Sequence, residues 1–191
     1  MEPKVQKQIE ASISTHKKMV AELESKGIET IASVAEMLIK CFNAGGMVYI
    51  CGNGGSAADA HHIAGELVGR FKRERKGFPA IALSTDTSVI TSVANDYGYD
   101  NIFVRQVEAL VKKGDILWAI STSGNSANVL SAVELASQKG AKIVGFTGRK
   151  GSKLEKLSDV CFCAASESTA QSQQIHQIAY HIICDLVEQS V

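Results

Sequence analysis

Two segments far apart in the chain concentrate glycine, serine and amide side chains: Cys51-Gly52-Asn53-Gly54-Gly55-Ser56 and Ser121-Thr122-Ser123-Gly124-Asn125-Ser126. Each follows a short apolar run and leads into a stretch of helical periodicity. That placement sets backbone N–H groups and hydroxyls at helix N-termini, where the partial positive charge suits an anion. Neither segment has the lysine of a Walker loop, which argues against nucleoside triphosphate hydrolysis. A small phosphorylated ligand gripped along its length fits both. In the second segment an N-cap and polar turn would use one or two hydroxyls. Ser121, Thr122, Ser123 and Ser126 exceed that need and favour phosphate or sugar contacts. The first segment also reads as a relaxed G-x-G-x-x-A fingerprint, whose acidic partner belongs about 20 residues on. Asp86, the nearest candidate, lies farther away.

His62 and Glu66 stand four apart, so a helix places them on one face at a spacing a metal pair can use. The same spacing suits a surface His–Glu hydrogen bond. His61 heads the adjacent row, where Gly65 offers no ligand. The C-terminal stretch adds Gln171, Gln173, Gln174, His176, Gln177 and His181, which would also serve as a solvated stripe. Gln173 and His181 are separated by roughly 12 Å of rise in a continuous helix. For both to reach one ion, either Gln173 precedes regular helix or a second subunit contributes. His176 is a further ligand candidate.

The elements that must position these residues follow from periodicity. Helices are expected over 4–26 and 29–43, then a strand over 47–51. Further strands fall at 80–83, 116–120, 142–146 and 160–163. Helices fall between them at 56–70, 87–95, 102–113, 126–139 and 152–157, with a long amphipathic helix at 170–189. Strands alternating with helices predict a doubly wound, three-layer α/β/α sandwich around a five-stranded parallel sheet, flavodoxin-like in type. Few prolines and no low-complexity segment point to one domain over 1–191. Residues 1–45 form a helical extension packed on it or on a neighbouring subunit. In such sheets ligands bind beyond the strand C-termini, where both Ser/Gly segments lie.

Twenty basic residues balance twenty acidic ones, so no global field favours nucleic acid or an anionic membrane. The start lacks the apolar core of a signal peptide and no run reaches transmembrane length. A cytoplasmic protein is expected. Cys41, Cys51, Cys161, Cys163 and Cys184 lie mostly in apolar runs without a C-x-x-C pair, and read as buried reduced thiols.

The segments CGNGGSAADA (51–60), ISTSGNSANV (120–129) and Ala94-Asn95-Asp96-Tyr97-Gly98 together resemble the sugar isomerase (SIS) domain, more narrowly the phosphoheptose isomerases. The similarity runs from about residue 28 to the C-terminus. It implies a homotetramer with interfacial active sites and one zinc ion per site, held by His62, Glu66, Gln173 and His181. It assigns substrate contacts to Asn53, Gly54, Gly55, Ser56, Glu66, Asn95, Asp96, Ser121, Thr122, Ser123, Ser126 and Gln173, with Arg70 as an additional phosphate or interface contact. The implied reaction converts sedoheptulose 7-phosphate to glycero-manno-heptose 7-phosphate for the bacterial envelope, lipopolysaccharide included, with Glu66 as base and His181 as acid. Where the family has Arg-Ile before the helix Gln, this chain has Gln171-Ser172. The alternatives are a sugar-phosphate sensor, or a non-catalytic SIS regulator that binds the replication initiator and lacks the metal residues.

Overall fold

The structure, a computed structural model of the chain, describes residues 2–190. Helices α1 (Pro3–Lys26) and α2 (Ile28–Asn43) lead into β1 (Val48–Gly52), α3 (Gly55–Val68) and β2 (Ala80–Ala82). Then follow α4 (Thr87–Tyr97), a short 3-10 turn (Tyr99–Asn101), α5 (Val104–Leu110), β3 (Ile116–Ser121) and α6 (Ala127–Gln138). The chain closes with β4 (Lys142–Thr147), α7 (Lys153–Leu157), β5 (Val160–Cys163) and α8 (Thr169–Glu188). No described helix is long and apolar enough to cross a membrane.

All five strands pair in parallel in the order β2-β1-β3-β4-β5. Every residue of β1 and β3 is buried, because helices cover both faces of the sheet and a continuous apolar run satisfies both. Val48 and Ile50 face one way with Trp118 and Phe146, against α2, α3 and α8. Tyr49 and Cys51 face the other way with Leu117 and Ile143, against α5, α6 and Leu154 of α7. Strand order reverses between β1 and β3, the switch point at which such sheets leave a crevice. The two Ser/Gly loops leave the C-terminal ends of these two neighbouring strands.

Two expected helices end early, each for a local reason. α5 stops at Leu110 instead of 113 because Asp115 draws the chain into a turn, accepting from the N–H of Lys112 (2.8 Å) and of Met47 (2.9 Å). α3 stops at Val68 because Arg75 takes the carbonyls of Glu66, Leu67 and Gly69 through its guanidinium. Helix-end carbonyls lack intrahelical partners, and here Arg75 supplies them, with the N–H of Phe78 also donating to Leu67 at 3.0 Å.

Within the expected extension over 1–45, the two described helices differ in character. Ile31, Val34, Leu38 and Cys41 of α2 enter the core beside Ile175, Ile183 and Val187 of α8. α1 buries only Leu23 and leaves Val5, Ile9, Ile13 and Val20 exposed. All five cysteines are unpaired, three of them buried, and burial pushes the Cys51 thiol up to about 12.

Candidate active site

The two loops meet over the switch point. A cavity of about 280 Å³ is lined by Asn53, Gly54, Gly55 and Ser56 from the first loop, and by Ser121, Thr122 and Ser126 from the second. Thr169 and Gln173 of α8 close its side. Hydroxyls crowd here: Ser121 Oγ lies 3.0 Å from Ser126 Oγ and 3.4 Å from Ser123 Oγ. Both helices that begin at the cavity, α3 and α6, point their N-termini at it, so anion binding is the chemistry this geometry offers.

Glycines make the approach possible. Gly124 has φ +64°, and a Cβ there would stand 2.3 Å from Ser152 Cβ. Only glycine combines that left-handed backbone with that contact. At Gly55 a Cβ would meet the Gln173 amide at 2.4 Å, so the missing side chain is the space Gln173 occupies.

The loops are tied by a reciprocal amide pair. Asn53 Nδ2 donates to Asn128 Oδ1 and Asn128 Nδ2 donates to Asn53 Oδ1, both at 2.9 Å. The Tyr99 hydroxyl donates to Asn53 Oδ1 as well, at 2.9 Å. Asn53 thus spends most of its hydrogen-bonding capacity on holding the loops together. Asn128 is buried and was missed as a site residue. The signal lay in the register of ISTSGNSANV, which puts Asn128 in the first turn of a helix whose start faces the cavity.

A second cluster sits farther along α3 and α8. His62, Glu66 and His181 each offer a ligand atom, and these atoms lie within 4.8 Å of one another. His62 Nε2 is 3.0 Å from Glu66 Oε1 and 3.4 Å from His181 Nε2. Two imidazoles and a carboxylate converging on one point form a donor set that could hold a metal ion. Burial, then the neighbouring His62, hold His181 below the ordinary imidazole range, with Glu66 pulling the other way. A neutral ring is the form a metal ligand needs.

Behind the cluster, Tyr180 Oη stands 2.9 Å from His62 Nδ1. With Nδ1 protonated, the ring donates to Tyr180 and presents Nε2 to the cluster, the usual outer support of a histidine ligand. Asp59 lies one turn before His62, with Oδ2 buried and unpartnered. Burial pushes its carboxyl up to about 6, while His62 and Tyr180 pull it back. Neither Asp59 nor Tyr180 was singled out in the sequence, although Asp-x-x-His at one helical turn was a readable signal.

Gln173 stands inside regular α8, so it does not precede the helix. It packs on Gly55 at the cavity, roughly 12 Å of helical rise from His181. Asn95 and Asp96 lie exposed near the end of α4, outside the cavity lining, with Asn95 Nδ2 donating to Asp96 Oδ1 at 2.8 Å. Arg70 is exposed and pairs with Glu74 at 3.3 Å. Gln171 accepts from Ser166 Oγ at 3.0 Å, and Ser172 is buried where a Cβ on Gly148 would meet its hydroxyl at 2.4 Å. Asp86 caps α4, accepting from the N–H groups of Ser88 and Val89, which commits the carboxylate a dinucleotide ribose would need.

His176 is no part of the cluster. It is fully buried beside Phe146 and Phe162, with Nε2 3.1 Å from the Thr147 carbonyl oxygen. Burial pulls its pKa down to about 4, against the Thr147 hydrogen bond. The unfolded chain, with an ordinary imidazole, therefore binds a proton between about pH 6.5 and 4 that the folded chain refuses. This stabilisation is fully present above about pH 6.5 and is lost as pH falls toward 4, on the order of 3 kcal/mol in all. Urea denaturation at pH 7 and pH 5 should show His176→Gln losing less stability on acidification than the wild type. Equal losses would contradict a neutral buried ring. Asp59 acts with the opposite sign over an overlapping range, but it is common to both proteins.

Comparison with known proteins places this arrangement. Residues 13–148 match the family model of the SIS domain. A phosphoheptose isomerase of Roseiflexus sp. (strain RS-1) is 47% identical over 188 residues, covering 96% of this chain and 91% of that protein. The structure of phosphoheptose isomerase from Neisseria gonorrhoeae superposes with a TM-score of 0.91 at 38% identity, covering 98% of this chain and 100% of the other. That of a phosphoheptose isomerase from Francisella tularensis gives 0.93 at 36% identity, covering 97% and 98%. The chain belongs to the SIS domain family and, within it, to the phosphoheptose isomerases.

Proposed function

We propose that this protein isomerises sedoheptulose 7-phosphate to glycero-manno-heptose 7-phosphate in the cytoplasm, for bacterial heptose and lipopolysaccharide synthesis. The observation that carries the reading is the pairing of a hydroxyl-rich anion cavity with a His/Glu/His cluster on adjacent helices of one fold. The Ser121–Ser126 loop holds the phosphate on hydroxyls and backbone N–H groups at the start of α6. Ser56 and the backbone of Gly54 and Gly55 contact the sugar chain. Asn95 and Asp96 contribute from the end of α4.

The reaction moves a proton from C1 to C2 through an enediol. Glu66 takes the C1 proton and returns it to C2. His181, neutral at rest, relays the hydroxyl proton from O1 to O2 through the ring nitrogen that would not hold the metal, since a metal-bound nitrogen has no lone pair free for a proton. Groups in such roles contribute on the order of 10² to 10⁴ each in rate. Zinc held by His62, Glu66 and His181 would polarise the substrate carbonyl. Glu66 faces His62 through Oε1, which leaves its other oxygen for proton transfer.

The fourth ligand, Gln173, comes in this reading from a second copy of the chain. α1 exposes Val5, Ile9, Ile13 and Val20, and α8 exposes Ile178, Ile182 and Leu186 beside His181. Such a row of large apolar side chains suits a self-interface, and four chains sharing these faces make the tetramer.

The test is turnover of sedoheptulose 7-phosphate by purified protein, before and after chelation and with zinc restored, alongside the solution mass by light scattering. Aldose product that disappears on chelation and returns with zinc is expected, at four times the chain mass. A monomer with full activity would remove the shared-site reading. A zinc-loaded protein without turnover would leave a regulator or a sugar-phosphate sensor.

A further inference from the structure

The segment between α3 and β2 carries Gly69-Arg70-Phe71-Lys72-Arg73-Glu74-Arg75-Lys76-Gly77-Phe78-Pro79, and its conformation is fixed by one carboxylate. Glu188, at the last turn of α8, is 1% exposed. Its Oε1 accepts from the N–H of Phe71 at 2.9 Å, and its Oε2 accepts from Lys72 at 2.7 Å and Arg73 at 2.9 Å. Arg75 Nε lies 3.3 Å from Oε1, with the arginine side chain only 7% exposed. Burial opposes the charge on Glu188, but the three N–H donors and Arg75 outweigh it and hold the carboxyl below its ordinary range.

Both ends of this arrangement touch the metal cluster. Arg75 Nη2 donates to the backbone carbonyl of Glu66 at 2.8 Å, and Nη1 to those of Leu67 and Gly69 at 2.8 and 2.9 Å. The ring of Phe71, whose N–H is bound by Glu188, stacks on the His181 imidazole at 5.6 Å between centroids and 28° between planes. Lys72 adds an ion pair to Asp185 of α8 at 2.9 Å.

We infer that Glu188 and Arg75 are positioning residues, which through this loop fix Glu66 on α3 and His181 on α8 at the separation a metal ion requires. Neither reaches a ligand atom of the cluster with its own charged group. One acts through the carbonyl of Glu66 and the other through the Phe71 ring. Five guanidinium donors in a fixed fork suit several carbonyls at once, which an ammonium cannot span.

The inference rests on the proposal that the cluster holds zinc, and the experiment separates the two. Zinc affinity is measured by competition with a chromophoric chelator for the wild type, Glu188→Gln, Arg75→Lys and Phe71→Leu, with Glu74→Ala as an exposed loop control. Thermal unfolding of each metal-free protein is recorded alongside. Loss of outer support to a metal ligand typically costs about 10- to 100-fold in affinity. That loss is expected in Glu188→Gln and Arg75→Lys, with a smaller one in Phe71→Leu and none in Glu74→Ala. Phe71→Leu keeps the apolar packing and the Glu188 bond, so it reports on the ring even where the other variants fold poorly. Wild-type affinity in all three variants would overturn the positioning role while leaving the zinc reading intact. A wild type that takes up no zinc would overturn both.

Discussion

Glu66→Gln should reduce turnover of sedoheptulose 7-phosphate by at least about 10²-fold while substrate binding stays measurable. The proposed base would lose its charge and its ability to accept a proton, an effect on the order of 10² to 10⁴ in rate. The side chain is nearly isosteric and only partly buried, so the fold has little reason to respond. The cavity that would take the phosphate lies elsewhere, lined by the two loops and Gln173. Binding followed by isothermal titration and turnover followed by aldose formation should therefore separate. Near-normal turnover in the variant would remove Glu66 as the base. Weakened zinc uptake without any change in rate would leave it a ligand alone.

Gly55→Ala should cost activity far more than stability. The added methyl meets the end of the Gln173 side chain, with Nε2 at 2.4 Å and Cδ at 2.7 Å. Gln173 is a flexible side chain in a half-open cavity and can swing away at small energetic cost. The backbone at Gly55 is the first turn of α3, where alanine is well tolerated. A melting temperature within a few degrees of wild type is expected, with activity lower by at least about tenfold as Gln173 leaves its place. Unfolding comparable to a core cavity mutation would show that the loop, not the amide, is what Gly55 protects. Full activity would free Gln173 of any role.

Most of the fold was legible because the strands are short continuous apolar runs bounded by glycines and polar turns, distinct from the 3.6-residue periodicity of the helices. That the strands run parallel followed from their alternation with helices; their order, β2-β1-β3-β4-β5, is not contained in alternation. The early ends of α3 and α5 were not legible, since they depend on Arg75 and Asp115 reaching backbone groups that sequence spacing does not reveal. At the site, the two loops and the His62–Glu66 pair could be read from local spacing. His181 could be assigned only by resemblance, because its meeting with His62 is a tertiary contact between helices 119 residues apart. The exclusion of His176 had the same character: its neighbours Phe146, Phe162 and Thr147 lie on strands that the helix pattern does not identify. Asp59 and Asn128 carried local signals in Asp-x-x-His and in the register of ISTSGNSANV, whereas Tyr180 reaches His62 only through tertiary packing between α8 and α3.

α3 and α8 lie side by side and run the same way. Gln173 meets Gly55 at one level, His181 meets His62 at the next, and Glu188 meets the loop beyond α3 at a third. The steps along α8 are eight and seven residues, each close to two turns at 3.6 residues per turn. The two helices therefore behave as a pair of rulers with matched graduations. Although the Glu188 level supports the His181 level through Phe71, side chains that keep a level's contacts are free to change over evolutionary time. The count of residues between levels is not, because one inserted residue turns everything downstream by about 100° and would unmatch every later level at once.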